Sequence, residues 1–439
     1  MCYNIINFND FIMEECVLPQ IVKLSEGVEG LFIENSRFNT TLISFNFYLP
    51  LDFDTYSANA LLPYVLSSCS KEYEDFRKLN IKLGNLYGAT ITTGNSKLMN
   101  YQCMNIAISV INDRYALGGE CVVTEAAKLL ASLIFNPSIE GNSFKKADVL
   151  REKTQMLDRI KGEINDKRGY ARSTAVSMMF GNDPYSISRY GDYENMQKIT
   201  GEDLFCAWTR LLRSAFIRVN VVGEKLPEGI FSAISAAFSA IHRENVTKFD
   251  GFKLPQFAFG SEKTERMDIA QGKLVLGFSL GRVAAESETA AATVMADIFG
   301  GGPYSRLFLN VREKMSLCYY CACQIVKNKG FMLVDSGVEA QNAEKAEKEI
   351  INQLNIMKNG EFSDDEFNAS IRSICDSIKS AEDSPNTMNN WYAARVFDNS
   401  VLTPSELEVL IKKVTREDVI NAARLVEPCV VYKLLPEEK

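Results

Sequence analysis

The sequence predicts an α+β fold made of two similar halves, each an antiparallel-rich sheet packed with helices. Short segments such as Thr41–Tyr48 alternate apolar and polar residues, which is typical of strands with one solvated face. Longer segments such as Val122–Phe135 carry apolar residues three and four positions apart, which is typical of amphipathic helices. The order of elements in the first half recurs in the second, and such a recurrence indicates a duplicated domain.

The first half begins with three strands and continues with helices and further strands. The predicted strands are Ile21–Leu24, Gly30–Ile33, Thr41–Tyr48, Ala89–Thr93, Tyr101–Val110 and Phe216–Val222, and the predicted helices are Tyr56–Cys69, a charged helix through Leu79–Leu83, Val122–Phe135 and Val149–Ile164. Gly94 and Asn95 predict a turn between the fourth and fifth strands. Thr200 is the expected N-cap of the helix that precedes the last strand.

The second half repeats this order at nearly constant distance along the chain. The matched segments are Leu42–Tyr48 with Leu274–Leu280, Ala58–Leu66 with Ala290–Phe299, and Lys198–Leu204 with Lys413–Val419. The first two pairs are 232 residues apart (274 − 42) and the third is 215 apart (413 − 198), so the first copy is longer by 17 residues. Two blocks in the same order indicate two homologous domains rather than a chance match.

The repeat also sets the expected domain boundaries. We predict a first domain over 1–225, a helix and linker over 226–262, and a second domain over 263–439. Ser363 and Thr403 each precede a glutamate by three residues, which is the spacing of a capping box at a helix start. These caps stabilise the fold and carry no chemistry.

Composition and charge limit the function classes. The net charge of −8 lacks the basic surplus that nucleic-acid binding requires. No stretch approaches the roughly 20 apolar residues that cross a bilayer, and the first residues do not form a secretory signal. Eleven cysteines scattered through the chain are typical of reduced thiols in a cytosolic protein. We therefore expect a cytoplasmic protein that binds neither nucleic acid nor membrane.

The sequence contains one histidine, His242, which excludes every site that needs two imidazoles. The excluded sites include the His-Glu-x-x-His zinc helix and its inverted form. Cys318, Cys321 and Cys323 raise the alternatives of a metal cluster or a redox pair. On a regular strand Cys318 would point away from the other two, and no fourth ligand is nearby, so buried thiols are the favoured interpretation.

The stretch Phe299–Tyr320 is the candidate site. Glycines at 300–302 predict a turn without side-chain steric limits. The residues Leu307, Phe308, Val311 and Met315 form one apolar stripe of a predicted helix. Arg312 lies off this stripe, so its guanidinium is free to reach a ligand. The following segment, Cys318–Val326, is aromatic and β-branched enough to predict a buried strand.

These motifs resemble the second-half signature of the insulinase/pitrilysin family of zinc metallopeptidases, and the resemblance covers essentially the whole chain. In that family an arginine and a tyrosine seven residues apart hold the substrate backbone, which implies a peptide clamp at Arg312 and Tyr319. In the first half, Leu83–Thr90 resembles the segment that leads into the family's substrate-binding edge strand. The implied peptide-binding residues are Ala89, Thr90, Ile91, Thr92, Thr93, Gly300, Gly301, Gly302, Arg312 and Tyr319.

The family's catalytic helix carries His-x-x-Glu-His, and Ala60-Leu-Leu-Pro-Tyr64 stands in its place. Ala60 has no donor atom, Tyr64 is a poor ligand near neutral pH, and Pro63 is expected to break or kink the helix. Arg159 falls at the position of the family's third ligand. A guanidinium about 5 Å from a dication opposes binding by roughly 7 kcal/mol at an effective dielectric near 20. Zinc is therefore expected in the family and predicted to be absent here.

The chain is similar to the subgroup in which a degenerate member pairs with an active homologue and the two close like a clam shell around a peptide. This implies a non-catalytic subunit that binds extended peptides or unfolded polypeptide segments beside an active peptidase, or as a homodimer. Two alternatives stay open: a structural or chaperone-like scaffold without a protease partner, and an active peptidase with an unrecognised site. On its own the chain is predicted to be inactive.

Overall fold

The computed structural model describes residues 19–251, 253–281, 286–397 and 402–437. Within these ranges the chain forms two large β-sheets and fourteen α-helices. The strands of the first sheet lie between residues 20 and 223, and those of the second lie between 261 and 436. The α+β fold with two similar halves is thereby confirmed.

The bounds of the elements follow the chain. The strands are β1 Gln20–Ser25, β2 Val28–Glu34, β3 Thr40–Pro50, β4 Thr90–Leu98, β5 Tyr101–Ile111, β6 Ile139–Glu140, β7 Ser143–Phe144, β8 Phe216–Gly223, β9 Ser261–Met267, β10 Gly272–Ser279, β11 Cys318–Val326, β12 Phe331–Val338 and β13 Glu427–Pro436. The helices are α1 Tyr56–Leu66, α2 Phe76–Asn85, α3 Val122–Phe135, α4 Lys146–Gly162, α5 Lys167–Phe180, α6 Tyr193–Lys198, α7 Gly201–Ser214, α8 Ile230–Ser239, α9 Glu286–Gly300, α10 Ala343–Lys358, α11 Asp364–Ser380, α12 Pro385–Ala393, α13 Pro404–Lys412 and α14 Arg416–Arg424. A π-helix occupies Leu307–Lys314.

The two sheets share one strand order, which is the structural counterpart of the sequence repeat. The first runs β1-β2-β8-β3-β5-β4, and the second runs β9-β13-β10-β12-β11 from the corresponding edge. The pairs β2–β8 and β9–β13 are parallel, and all other neighbours in these sheets are antiparallel. Within these two sheets, β1 is the one described strand without a counterpart. Consequently β4 and β11 occupy equivalent edges.

The helices of each half cover one face of that half's own sheet, and one helix of each half packs on the sheet of the other half. The helix α5 packs on β10 and β13, where Met179 and Val275 belong to one buried cluster. The helix α12 packs on β3 and β8, where Asn389 accepts hydrogen bonds from Ser44 (2.6 Å) and Asn220 (2.9 Å). These exchanged helices interlock the halves, and the boundaries proposed at 1–225, 226–262 and 263–439 stay a prediction.

Charged side chains are buried where the halves meet. Asp335 on β12 is 2% exposed and accepts two hydrogen bonds from the guanidinium of Arg168 on α5. Lys329 is also 2% exposed; its ammonium donates to Asn100 and lies 3.5 Å from Asp183. Buried charges are tolerated in proteins only when they are paired in this way.

One predicted detail of the first half needs correction, and another is confirmed. The hairpin between β4 and β5 turns at Met99 and Asn100, with Met99 at φ +53°, whereas Gly94 and Asn95 lie inside β4. The turn is displaced because the full length of β5 finds hydrogen-bond partners on β4. The predicted helix start at Thr200 is confirmed, since its side chain and that of Asp203 form a reciprocal capping box.

No helix within the described residues is long and apolar enough to span a bilayer. The nine cysteines that the structure describes are all free thiols. His242 follows the short helix α8 and is exposed, as expected for a histidine near a helix end.

Candidate functional site

The helix α1 carries the residues that stand in place of the family's metal-binding motif. It is almost wholly buried against the first sheet, and it runs through Pro63 without ending there, so of the expected break or kink the break does not occur. Pro63 cannot bond to the carbonyl of Asn59, but Asn95 on β4 donates to the neighbouring carbonyl of Ala60 (2.7 Å). This cross-link and the buried surroundings tie the helix to β4.

Tyr64 and Arg159 lie in contact although 95 residues separate them. The guanidinium of Arg159, on α4, lies 4.7 Å from the centre of the Tyr64 ring. The Tyr64 hydroxyl also interacts with the side chain of Thr93 on β4. Burial raises the pKa of Tyr64, and the positive charge of Arg159 offsets this only in part. The phenol therefore stays protonated near neutral pH.

The side chains present here do not fit a zinc ion. Ala60 is fully buried, one helical turn before Tyr64, and offers a methyl group. A protonated phenol and a guanidinium replace the anionic or neutral donors that zinc needs. Across the described ranges, no group of three or more His, Cys, Asp or Glu side chains is arranged to hold a metal ion.

The edge strand β4 runs beside this contact. It pairs with β5 on one side, and no described strand lies on its other side. Thr90 and Thr92 are exposed, whereas Ile91 is partly buried against the first core. Ala89 precedes the strand and is buried, so it does not belong to the exposed edge as the sequence had suggested. Its small side chain packs instead in the first core.

Arg312 lies on the π-helix at the corresponding edge of the second sheet. Hydrogen bonds that reach back five residues, as from Met315 N–H to the Asn310 carbonyl (3.1 Å), widen this helix relative to an α-helix. The predicted apolar stripe is therefore only partly correct, because Val311 is buried and Met315 is 46% exposed. The Arg312 guanidinium lies 4.6 Å from the centre of the Phe308 ring.

Tyr319 is directed outward by an irregularity in β11. The pairing of β11 with β12 shifts between Cys318 and Tyr320, which leaves Tyr319 as an extra residue of a β-bulge. Its side chain is 58% exposed, and its hydroxyl donates to Glu339 (3.2 Å). The segment is an edge strand with most residues partly exposed, rather than the buried strand predicted. The apolar pattern was misleading because β11 has only one strand neighbour.

The same bulge corrects the prediction that Cys318 points away from Cys321. The extra residue brings the two thiols to one face of the strand. Interaction with the Cys321 thiol lowers the pKa of Cys318 to about 7, and the nearby charge of Arg312 acts in the same direction. Cys318 is half-buried and Cys321 is buried.

The glycine triplet serves close packing rather than an unusual turn. None of Gly300, Gly301 and Gly302 has a positive φ. A Cβ added at Gly300 would lie 2.7 Å from the backbone nitrogen of Cys323, so glycine lets α9 approach β11. The sequence predicted a sterically free turn because it does not show that Cys323 packs against Gly300. A role of these glycines in peptide binding stays a prediction.

Comparisons with known proteins agree with the fold and with the predicted family resemblance. The family described as "Peptidase M16 inactive domain" matches residues 198–374. The "Probable inactive metalloprotease YmfF" of Bacillus subtilis (strain 168) is 27% identical over 408 residues, which are 93% of this chain and 96% of that protein. The chain is thus similar to M16-family peptidases, and the relatives that it matches are described as inactive. M16 is the family of the insulinase/pitrilysin peptidases, so the predicted resemblance to that family is confirmed.

Solved structures show how far the fold of this M16 homologue is shared. A conserved protein from Enterococcus faecalis V583 superposes with a TM-score of 0.85 at 26% identity, covering 96% of this chain and 99% of that one. A peptidase M16 inactive domain from Pseudomonas fluorescens superposes with a TM-score of 0.77 at 19% identity, covering 96% and 98% of the two chains. The second likeness establishes the fold alone.

Two side chains of this M16 homologue that the sequence analysis did not select, Arg189 and Tyr190, also belong to the site. The charge of Arg189 and the phenol of Tyr190 both act on Tyr64, and Arg189 stacks on Tyr190 (4.6 Å to the ring centre). Both follow α5, about 30 residues beyond Arg159, and no motif marks them. Four cavities of about 340 to 450 Å³ are not lined by Tyr64, Arg159, Arg189 or Tyr190, although one of them borders Gly94–Leu98 of β4 and another borders Gly301.

Proposed function

We propose that this M16 homologue binds extended peptides and acts as the non-catalytic subunit beside an active zinc peptidase. The observation that carries the proposal is the position of the β4 edge, whose Thr93 touches the Tyr64 that replaces a metal ligand. An edge strand can bond to the backbone of an added peptide, which gives affinity with little sequence preference. The peptide would then pass the altered metal position without being cleaved.

The second sheet supports the same proposal at its equivalent edge. Tyr319 is more than half exposed, and the Arg312 side chain is 41% exposed; among the described residues its one ion partner is its chain neighbour Glu313, at 3.5 Å. Both side chains can reach a bound backbone, Arg312 as a donor to carbonyl oxygens and Tyr319 through its hydroxyl. The role assigned to them is to hold peptide.

Peptide binding is tested with the purified chain and fluorescent peptides of about twelve residues. We expect micromolar binding that is lost when alternate peptide nitrogens are methylated, because methylation removes the donors that pair with an edge strand. An Arg312→Met/Tyr319→Phe variant should bind about tenfold more weakly. Lys314→Met, which removes an exposed charge from the same π-helix, is the matched control and should bind normally.

The subunit role is tested by adding the chain to an active M16 peptidase from the same cells. Peptide hydrolysis should exceed that of the peptidase alone, and the excess should disappear with the Arg312→Met/Tyr319→Phe variant. Peptide binding without any gain in hydrolysis would favour the scaffold alternative. Absence of binding to all unmethylated peptides would refute the proposed function.

A further inference from the structure

We infer that the former metal position is a carboxylate-binding site, which selects peptides with an acidic side chain or a free C-terminus next to β4. The inference rests on the proposed peptide binding and names its preferred ligand chemistry. It follows from three features of the surface formed by Tyr64, Arg159, Arg189 and Tyr190, here called the basic surface.

The first feature is an arginine without a carboxylate. Arg159 is exposed, and its guanidinium lies 4.7 Å from the centre of the Tyr64 ring. Among the residues that the structure describes, no carboxylate lies within ion-pairing distance of it. Stacking on an aromatic ring fixes the orientation of a guanidinium and leaves its edge donors available. A carboxylate can accept two of these donors in parallel, which is the geometry that arginine favours.

The second feature is the arrangement of the surrounding charges. The positive charge of Arg189 also acts on Tyr64, and the Arg189 guanidinium lies over the neighbouring Tyr190 ring (4.6 Å to the ring centre). The nearby carboxylate of Glu163 lies 3.6 Å from Arg189 and accepts a hydrogen bond from Ser188 (3.0 Å). Glu163 is thus engaged by its own neighbours, and the basic surface keeps one surplus positive charge. This local excess contrasts with the net charge of −8 for the whole chain.

The third feature is the position of the basic surface beside the edge strand β4. A strand added to β4 would run about 4.8 Å beyond it. Alternate side chains of that strand would point toward the face of the sheet that α1 covers, where Thr93 touches Tyr64. An aspartate or glutamate on this face, or the terminal carboxylate of a peptide that ends there, would meet Arg159 across the Tyr64 ring. The charge that repels a dication thereby attracts an anion.

The test compares three peptides that differ at one position. The first carries glutamate and an amidated C-terminus, the second carries glutamine and an amidated C-terminus, and the third carries glutamine and a free C-terminus. The wild-type chain should bind the first about five- to tenfold more tightly than the second in low salt. The third peptide shows whether a terminal carboxylate serves as well as a side chain.

Variants decide whether Arg159 is responsible. The preference for glutamate should vanish in Arg159→Met and persist in Lys146→Met, which removes an exposed charge from the far end of the same helix. Added salt should reduce the preference in the wild-type chain. Equal binding of all three peptides by the wild-type chain, or a glutamate preference that survives in Arg159→Met, would overturn the inference while leaving the proposed function intact.

A second measurement keeps the inference testable if no peptide binds and the proposed function fails. N-acetylglutamate amide is titrated into ¹⁵N-arginine-labelled protein, and the side-chain Nε–H signals are followed by NMR. A saturable shift of one signal that is missing in Arg159→Met would support the carboxylate site. Absence of any shift at Arg159 up to about 50 mM, a concentration that would reveal even weak binding, would overturn it.

Discussion

The ion pair between Arg168 and Asp335 offers a quantitative test of how the halves are joined. The Asp335 side chain is 3% exposed, and both of its oxygens accept from the Arg168 guanidinium, which also stacks on Tyr320 (4.4 Å to the ring centre). Replacing Arg168 by methionine keeps most of the stem but leaves a buried carboxylate without its partner. Such a loss costs about 3–5 kcal/mol in fully buried pairs.

The expected cost here is smaller, about 2–3 kcal/mol, because the Arg168 side chain is 46% exposed and water can reach part of the vacated space. Lys273 also interacts with Asp335 and would replace part of the lost charge. A loss of this size changes the ratio of folded to unfolded chains by about 30- to 150-fold. Urea unfolding followed by fluorescence should show a lower midpoint with an unchanged slope.

Two comparisons isolate the pair. Arg172→Met removes a positive charge from the same helix and should change stability by less than about 0.5 kcal/mol. Asp335→Asn should cost much less in the Arg168→Met background than in the wild-type chain, because the partners act together. If Arg168→Met were as stable as Arg172→Met, or if the two substitutions were additive, the proposed stabilisation by this ion pair would be wrong.

Three further predictions concern stability and packing. Asn389→Ala should cost about 2–3 kcal/mol in urea unfolding, because two buried donors lose their acceptor, whereas exposed Asn390→Ala should be nearly neutral. Burial lowers the pKa of Lys97 to about 8, so above that pH the unfolded chain binds one more proton than the folded chain. The free energy of unfolding of the wild-type chain should therefore rise by about 2 kcal/mol relative to that of Lys97→Met between pH 8 and 10. A difference between the two chains that stays constant over this range would contradict the prediction. Gly300→Ala should cost about 1–3 kcal/mol, since its methyl group would meet the backbone of Cys323; an unchanged melting temperature would show that α9 can move away.

Local sequence signals predicted much of the fold. The capping boxes at Ser363 and Thr403 begin α11 and α13, since a short polar side chain and a glutamate three residues later satisfy each other's backbone groups. The repeat offset of 232 residues correctly aligned β3 with β10, because burial in the same place of the same sheet constrains both strands. The motif comparison also selected Tyr64 and Arg159, which the fold brings into contact.

Features that depend on distant parts of the chain were not predictable. The exchange of α5 and α12 between the halves leaves no local signal, because an apolar helix face does not specify which sheet it covers. The outward position of Tyr319 depends on a shift of pairing with β12, and the electrostatic effect of Arg189 on Tyr64 depends on the path of the chain after α5. Periodicity assumes regular geometry, so it also missed the π-helix.

Zinc content is the most direct test of the altered metal position. Purified protein is incubated with zinc, dialysed and examined by elemental analysis. We expect far less than one zinc per chain, because Tyr64 stays protonated and the Arg159 guanidinium repels a dication. One zinc per chain that is released in a Tyr64→Phe variant would contradict the conclusion that this position no longer holds a metal.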